Sequence, residues 1–249
     1  MKEKKCRAKN PANCRHHGSM ADMKTNAVIP NEEYANLMSS GNIMSIPNLT
    51  PEDRVFLSAE LTRISLLSKD YHYDYDSAPR PSSREGEEAF LDAYDPTKYG
   101  LSADAVVNTS DNIVLTRGDD DRLKVLLIQR KAHPYKGYWC TPGGFVDAGE
   151  SALDAASREL QEETNMTLPE GSLQSVKKYD YPWRDGRMKH LQANSHVAFI
   201  PSIPKFEAGD DAADAKLVDV GKIFAKNSPI SLGFDHKQEI ADSIQHLMD

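Results

Sequence analysis

The stretch from Gly143 to Met166, GGFVDAGESALDAASRELQEETNM, crowds acidic side chains onto one helical segment directly after a double glycine. Ala152, Ala155, Ala156 and Leu160 recur at helical spacing, so one side of the segment is small and apolar and can lie close against a sheet. Glu159, Glu162 and Glu163 fall three or four residues apart, which brings their carboxylates into one small region. Repulsion among such neighbours costs only about a few tenths of a kcal/mol per pair on an exposed helix, so a solvated acidic face is the plain alternative.

The residues before the helix argue for more than a solvated face. Thr141-Pro142-Gly143-Gly144 makes a loop in which Gly143 and Gly144 let the backbone approach a ligand, because no side chain intervenes. Hard cations such as Mg2+ and Mn2+ take oxygen ligands, are held by a few carboxylates and bridge to substrate phosphates. A glycine loop followed by three carboxylates on a rigid helix therefore reads as a metal-phosphate site.

The full spacing is Gly144, five residues, Glu150, seven residues, then Arg158-Glu159-Leu160-Gln161-Glu162-Glu163. In this it resembles the Nudix hydrolases, with Asn165 where that family has a glycine after Thr164. Asn tolerates the left-handed conformation of a helix exit, so this departure leaves the ligand set intact. The resemblance runs from about Ala103 to the end. It implies an α/β/α sandwich around a mixed sheet, with Glu159, Glu162 and Glu163 binding Mg2+ or Mn2+ and Arg158 paired with a carboxylate, Glu150. It also implies hydrolysis of a nucleoside diphosphate linked to a second group. The proton acceptor would be Glu163 or a later acid, with Glu207, Asp210 and Asp211 as the candidates.

KVLLIQRKAHPYKGYWCTPGGFV, Arg184-Asp185-Gly186-Arg187 and Leu232-Gly233-Phe234-Asp235-His236 further resemble the ADP-ribose pyrophosphatase branch. That points to cleavage of ADP-ribose into AMP and ribose 5-phosphate. Forked donors on Arg184 and Arg187 suit phosphate or ribose oxygens, and Trp139 or Tyr181 could stack on adenine. The competing view is that the aromatics pack and the arginines are solvated. His236, opening the last helix, reads as a capping or packing residue. The same short patterns resemble Nudix-like transcription regulators that sense ADP-ribose and carry a winged helix; the roughly thirty residues after the last expected strand are short for such a module.

Around this region the organisation is coarser. Residues 1–50 show no periodicity and begin with a basic run, Lys2 to Arg15, that reads as a mobile arm. Within it Cys6, Cys14, His16 and His17 offer an alternative, a Zn2+ site, although the wide Cys6 to Cys14 gap is unlike paired structural ligands. Thr50 as cap, Pro51 at the first position and Leu57, Leu61, Ile64 and Leu67 predict a helix over 51–67, followed by a polar linker to residue 100. The domain proper is expected over 101–249, with strands at 103–109, 124–130, 175–181, 194–200 and 216–220 and a last helix at 235–248. The net charge of −8 disfavours nucleic acid as a general partner, and no apolar run reaches the length of a membrane span. The start lacks the apolar core of a secretory signal, which together with three uneven cysteines places the chain in the cytoplasm. The expected partner is a small nucleoside diphosphate derivative, and a homodimer fits the branch.

Overall fold

The computed structural model describes residues 42–76, 102, 105–185, 187–209 and 212–249, and the backbone of 19–22 and 27–30. The zinc candidates Cys6, Cys14 and His16, most of the linker, and Asp210 and Asp211 lie outside the described residues. Strands β1 (Ser19–Asp22) and β2 (Ala27–Pro30) pair as an antiparallel hairpin. A 3-10 turn, Asn42–Ser45, then leads to helix α1, Pro51–Ser68. A capping box starts α1: the Thr50 hydroxyl accepts from the Asp53 N–H at 3.1 Å, and the Asp53 carboxylate accepts from the Thr50 N–H at 3.1 Å.

Seven strands form one mixed sheet: β3 (Val107–Arg117), β4 (Leu123–Arg130), β5 (Trp139–Cys140), β6 (Gly143–Phe145), β7 (Gln174–Tyr179), β8 (Leu191–Phe199) and β9 (Ala212–Asp219). β3 runs parallel to β8 and antiparallel to both β4 and β6, while β9 closes antiparallel on β4. The strand expected at 103–109 begins at Val107 and runs to Arg117, because the polar run Thr109-Ser110-Asp111-Asn112 is buried between β6 and β8 instead of turning away.

Period-two alternation sorts the strands' side chains onto two faces. Ile113, Leu115, Val125 and Leu127 join Leu57, Leu61 and Ile64 of α1 and Ile240, Ile244 and Leu247 of the last long helix in one core. Val114 and Leu126 point the other way, onto Leu160 and Met166. Leu160 belongs to helix α2, Ala152–Thr164; the short α3 (Val220–Ile223) and then α4 (His236–Met248) complete the chain. The predicted sandwich is thus present, with α2 on one face and α1 and α4 on the other. The helix expected over 51–67 contributes side chains to the same core as the sheet.

Candidate active site

Helix α2 is held at both ends by local chemistry. Ser151 caps its start, accepting from the Asp154 N–H at 3.1 Å, and Asn165 takes the left-handed conformation at its exit, with φ 55° and its N–H donating to the Gln161 carbonyl. Ser110 and Asn112 of β3 donate to the carbonyls of Ala152 and Ala156 at 2.6 and 2.9 Å, which fixes the helix against the sheet. Its acidic side then meets the glycine loop. A Cβ on Gly144 would collide with the Glu159 carboxylate, so only glycine allows that approach.

Arg158 organises the acids. Its Nη1 donates to Glu159 at 2.7 Å and to Glu162 at 3.1 Å, its Nη2 donates to the Phe145 carbonyl at 2.9 Å, and Glu150 takes both of its remaining donor directions. Glu163 is 7% exposed and accepts from the Gly143 N–H at 2.8 Å. Burial pushes its carboxyl up to about 8, the Gly143 hydrogen bond only partly opposing this. Burial raises Glu159 as well, against the pull of Arg158.

Glu159 and Glu163 line a cavity of ≈ 330 Å³ together with Gly143, Gly144, Arg130, Lys131 and Arg187. Glu162 is more exposed and stands outside this lining, held to it through Arg158. The donor set fits a hard divalent ion: the donors are all carboxylate oxygens, with Glu163 buried and Glu159 half-buried and burial raising both, so that a cation would relieve the cost of their charge.

The inner wall is built by the segment before α4. The Trp139 N–H donates to the Ser231 carbonyl at 3.0 Å and the Gly233 N–H donates to the Trp139 carbonyl at 2.9 Å, a pairing along β5 that carries Phe234 and His236 into the cavity. Arg187 pairs with Asp185, at 2.7 Å through Nη2, and lies over the Phe145 and Phe234 rings at 5.0 and 5.3 Å. Arg184 also borders the cavity, but its guanidinium is buried and committed to Asp235 and, at 2.9 Å, to Glu239.

Other candidates fall elsewhere. Trp139 is beneath the Lys216 ammonium, 3.6 Å from the ring centre, and does not border the cavity. Tyr181 stacks on Tyr75 at 4.8 Å. Glu207 is exposed, its N–H bonded to the Thr164 carbonyl at the end of α2. Sequence reasoning did not single out Asp111, which lies buried in the wall on β3.

Known proteins agree with this geometry. The chain is 38% identical over 121 residues to an ADP-ribose pyrophosphatase of Methanocaldococcus jannaschii, covering 48% of this chain and 64% of that protein. It is 36% identical over 85 residues to the ADPR responsive transcriptional repressor NtrR of Acinetobacter baylyi, covering 33% of this chain and 32% of that protein. It therefore spans less than two thirds of the length of either curated relative. Among solved structures, the Nudix domain of Shewanella oneidensis NrtR complexed with ADP ribose superposes with a TM-score of 0.52 at 28% identity, covering 65% of this chain and 98% of that one. Among the described residues no helix is long and apolar enough to cross a membrane. The NUDIX domain model matches residues 108–236, just over half of the chain and the whole of the glycine loop, α2 and cavity wall, so this chain belongs to the Nudix family.

Proposed function

We propose that the chain hydrolyses the pyrophosphate of a nucleoside diphosphate linked to a second group, with ADP-ribose giving AMP and ribose 5-phosphate. The observation that carries this reading is one cavity lined both by Glu159 and Glu163 and by Arg130, Lys131 and Arg187. Carboxylates for cations and cations for phosphates within reach of one another are what a pyrophosphate requires.

Glu159, Glu162 and Glu163 are the residues that would hold Mg2+ or Mn2+. Such an ion, when bound, neutralises phosphate charge and makes water more acidic. Arg158, clamped by Glu150, orients Glu159 and Glu162. Glu163 keeps one oxygen on the Gly143 N–H, which leaves its other oxygen to accept a proton from the attacking water as the P–O–P bond breaks. Arg187, with Nε and Nη2 held by Asp185 and its guanidinium near the Phe145 and Phe234 rings, brings a fixed positive charge to the cavity for phosphate oxygens.

Likeness to the NtrR repressor and to the NrtR Nudix domain supports a second reading, a sensor that binds ADP-ribose without turning it over. The intact carboxylate set favours hydrolysis. Incubation with Mg2+ and ADP-ribose separates the two: AMP release is the expected result, and tight binding without AMP would establish the sensor instead.

A further inference from the structure

His236 Nε2 stands 4.0 Å from Asp111 Oδ1 on the inner wall of the cavity. The two residues come from distant parts of the chain, β3 and the first turn of α4, and both are buried. The imidazole is set from behind. The Thr141 backbone N–H donates to Nδ1 at 2.9 Å, and because a backbone amide can only donate, Nδ1 carries no proton. Burial, reinforced by the Arg184 guanidinium, pushes His236 down to about 3, so the ring is neutral and its one proton sits on Nε2, facing Asp111. Asp111 meanwhile accepts from the Thr109 hydroxyl across a long contact of 3.5 Å.

This arrangement argues against a metal. Asp111, His236 and Glu239 do offer ligand atoms within 4.8 Å of one another. Yet the nitrogen that faces the group bears a proton, the bare nitrogen is taken by a backbone amide, and Arg184 already brings a fixed positive charge to Glu239. What the wall presents is a donor beside an acceptor. Two hydrogen bonds of about 2.8 Å meeting at a tetrahedral oxygen hold their outer atoms about 4.5 Å apart, close to the observed separation. A hydroxyl accepts one bond and donates one through a single atom, as this pair requires.

We propose that Asp111 and His236 form a sugar-hydroxyl subsite, in which Nε2–H donates to one ribose hydroxyl of the substrate and that hydroxyl donates to Asp111 Oδ1. The proposal rests on the ADP-ribose reading above and adds to it a reason for selecting an intact ribose. A site built to hydrogen-bond a hydroxyl discriminates against the analogue that lacks it, because its buried polar groups are then left unpaired.

The test is equilibrium binding, by calorimetry in EDTA, of ADP-ribose and of monodeoxy analogues that each lack one ribose hydroxyl. One analogue should bind the wild-type protein on the order of 10 to 100-fold more weakly than ADP-ribose. Asp111→Ala and His236→Gln should weaken ADP-ribose and bind it and that analogue about equally. If a variant does not fold, the wild-type comparison still decides: equal affinity for every analogue overturns the subsite. Failure of ADP-ribose to bind in EDTA, together with no binding or AMP release in Mg2+, overturns both the subsite and the substrate assignment. Discrimination without AMP release leaves the subsite standing and rejects hydrolysis.

Discussion

Arg158 grips Glu150 with two donors, Nε at 3.0 Å from one carboxylate oxygen and Nη2 at 2.9 Å from the other. The pair ties α2 to the loop after the glycines and leaves Nη1 to aim Glu159 and Glu162. A lysine supplies one ammonium in place of a planar fork and cannot serve all four carbonyl and carboxylate partners. Arg158→Lys should raise the Mg2+ concentration needed for half-maximal AMP release on the order of 10 to 100-fold, as loss of a ligand-orienting partner does. An unchanged Mg2+ titration would remove the orienting role.

Glu159→Gln, Glu162→Gln and Glu163→Gln should each abolish turnover while the proteins fold. Glu162 is the sharpest case, because it lies outside the cavity lining and is linked to Glu159 through Arg158. Near-normal AMP release by Glu162→Gln would rule out its ligand role.

How far this site could be read from the sequence depends on the range of the interactions. The α2 acids, the Asn165 exit and the Thr50 capping box are set within a few residues, and spacing alone exposes them. Asp111 is hidden because Thr109-Ser110-Asp111-Asn112 is polar and looks like a loop, while partners 30 to 44 positions away hold Asn112 of this run in the sheet. Arg184 looks like a phosphate ligand until Asp235 and Glu239, 51 and 55 residues later, take its donors.

The buried Glu163 predicts a pH dependence. Its folded carboxyl is raised to about 8 from an ordinary 4.5, so its stabilising contribution is full below the ordinary value and is lost as pH rises through the raised one. The metal-free protein should therefore lose thermal stability between about pH 5 and 8. Over the same window the rise in Tm on adding Mg2+ should grow, and Glu163→Gln should reduce both trends, with the raised Asp111, Glu159 and Glu239 carboxyls supplying what remains. A Mg2+ effect independent of pH in scanning calorimetry would contradict this.

Leu61 on α1 is fully buried in the core shared by the sheet and α4. We propose that α1 belongs to the folding unit of the domain that follows it. Leu61→Ala should then cost about 2–5 kcal/mol in urea unfolding, the usual range for a buried leucine. Loss of a separate early transition, with the main one unmoved, would show instead that α1 unfolds by itself.

Arg184 is sealed beside Asp235 and Glu239, with Tyr75 donating to Asp235 from the segment after α1 at 3.1 Å. Removing one partner of a buried ion pair costs more than the pair is worth, because charge is left behind without solvent. Arg184→Met should destabilise the fold by about 3–5 kcal/mol near neutral pH. The loss should shrink on acidification, since burial already raises the Glu239 carboxyl and a proton can replace the missing guanidinium. Urea midpoints at two pH values test both parts. A loss that stayed the same at both would mean that the vacated space, and not the stranded charge, sets the cost.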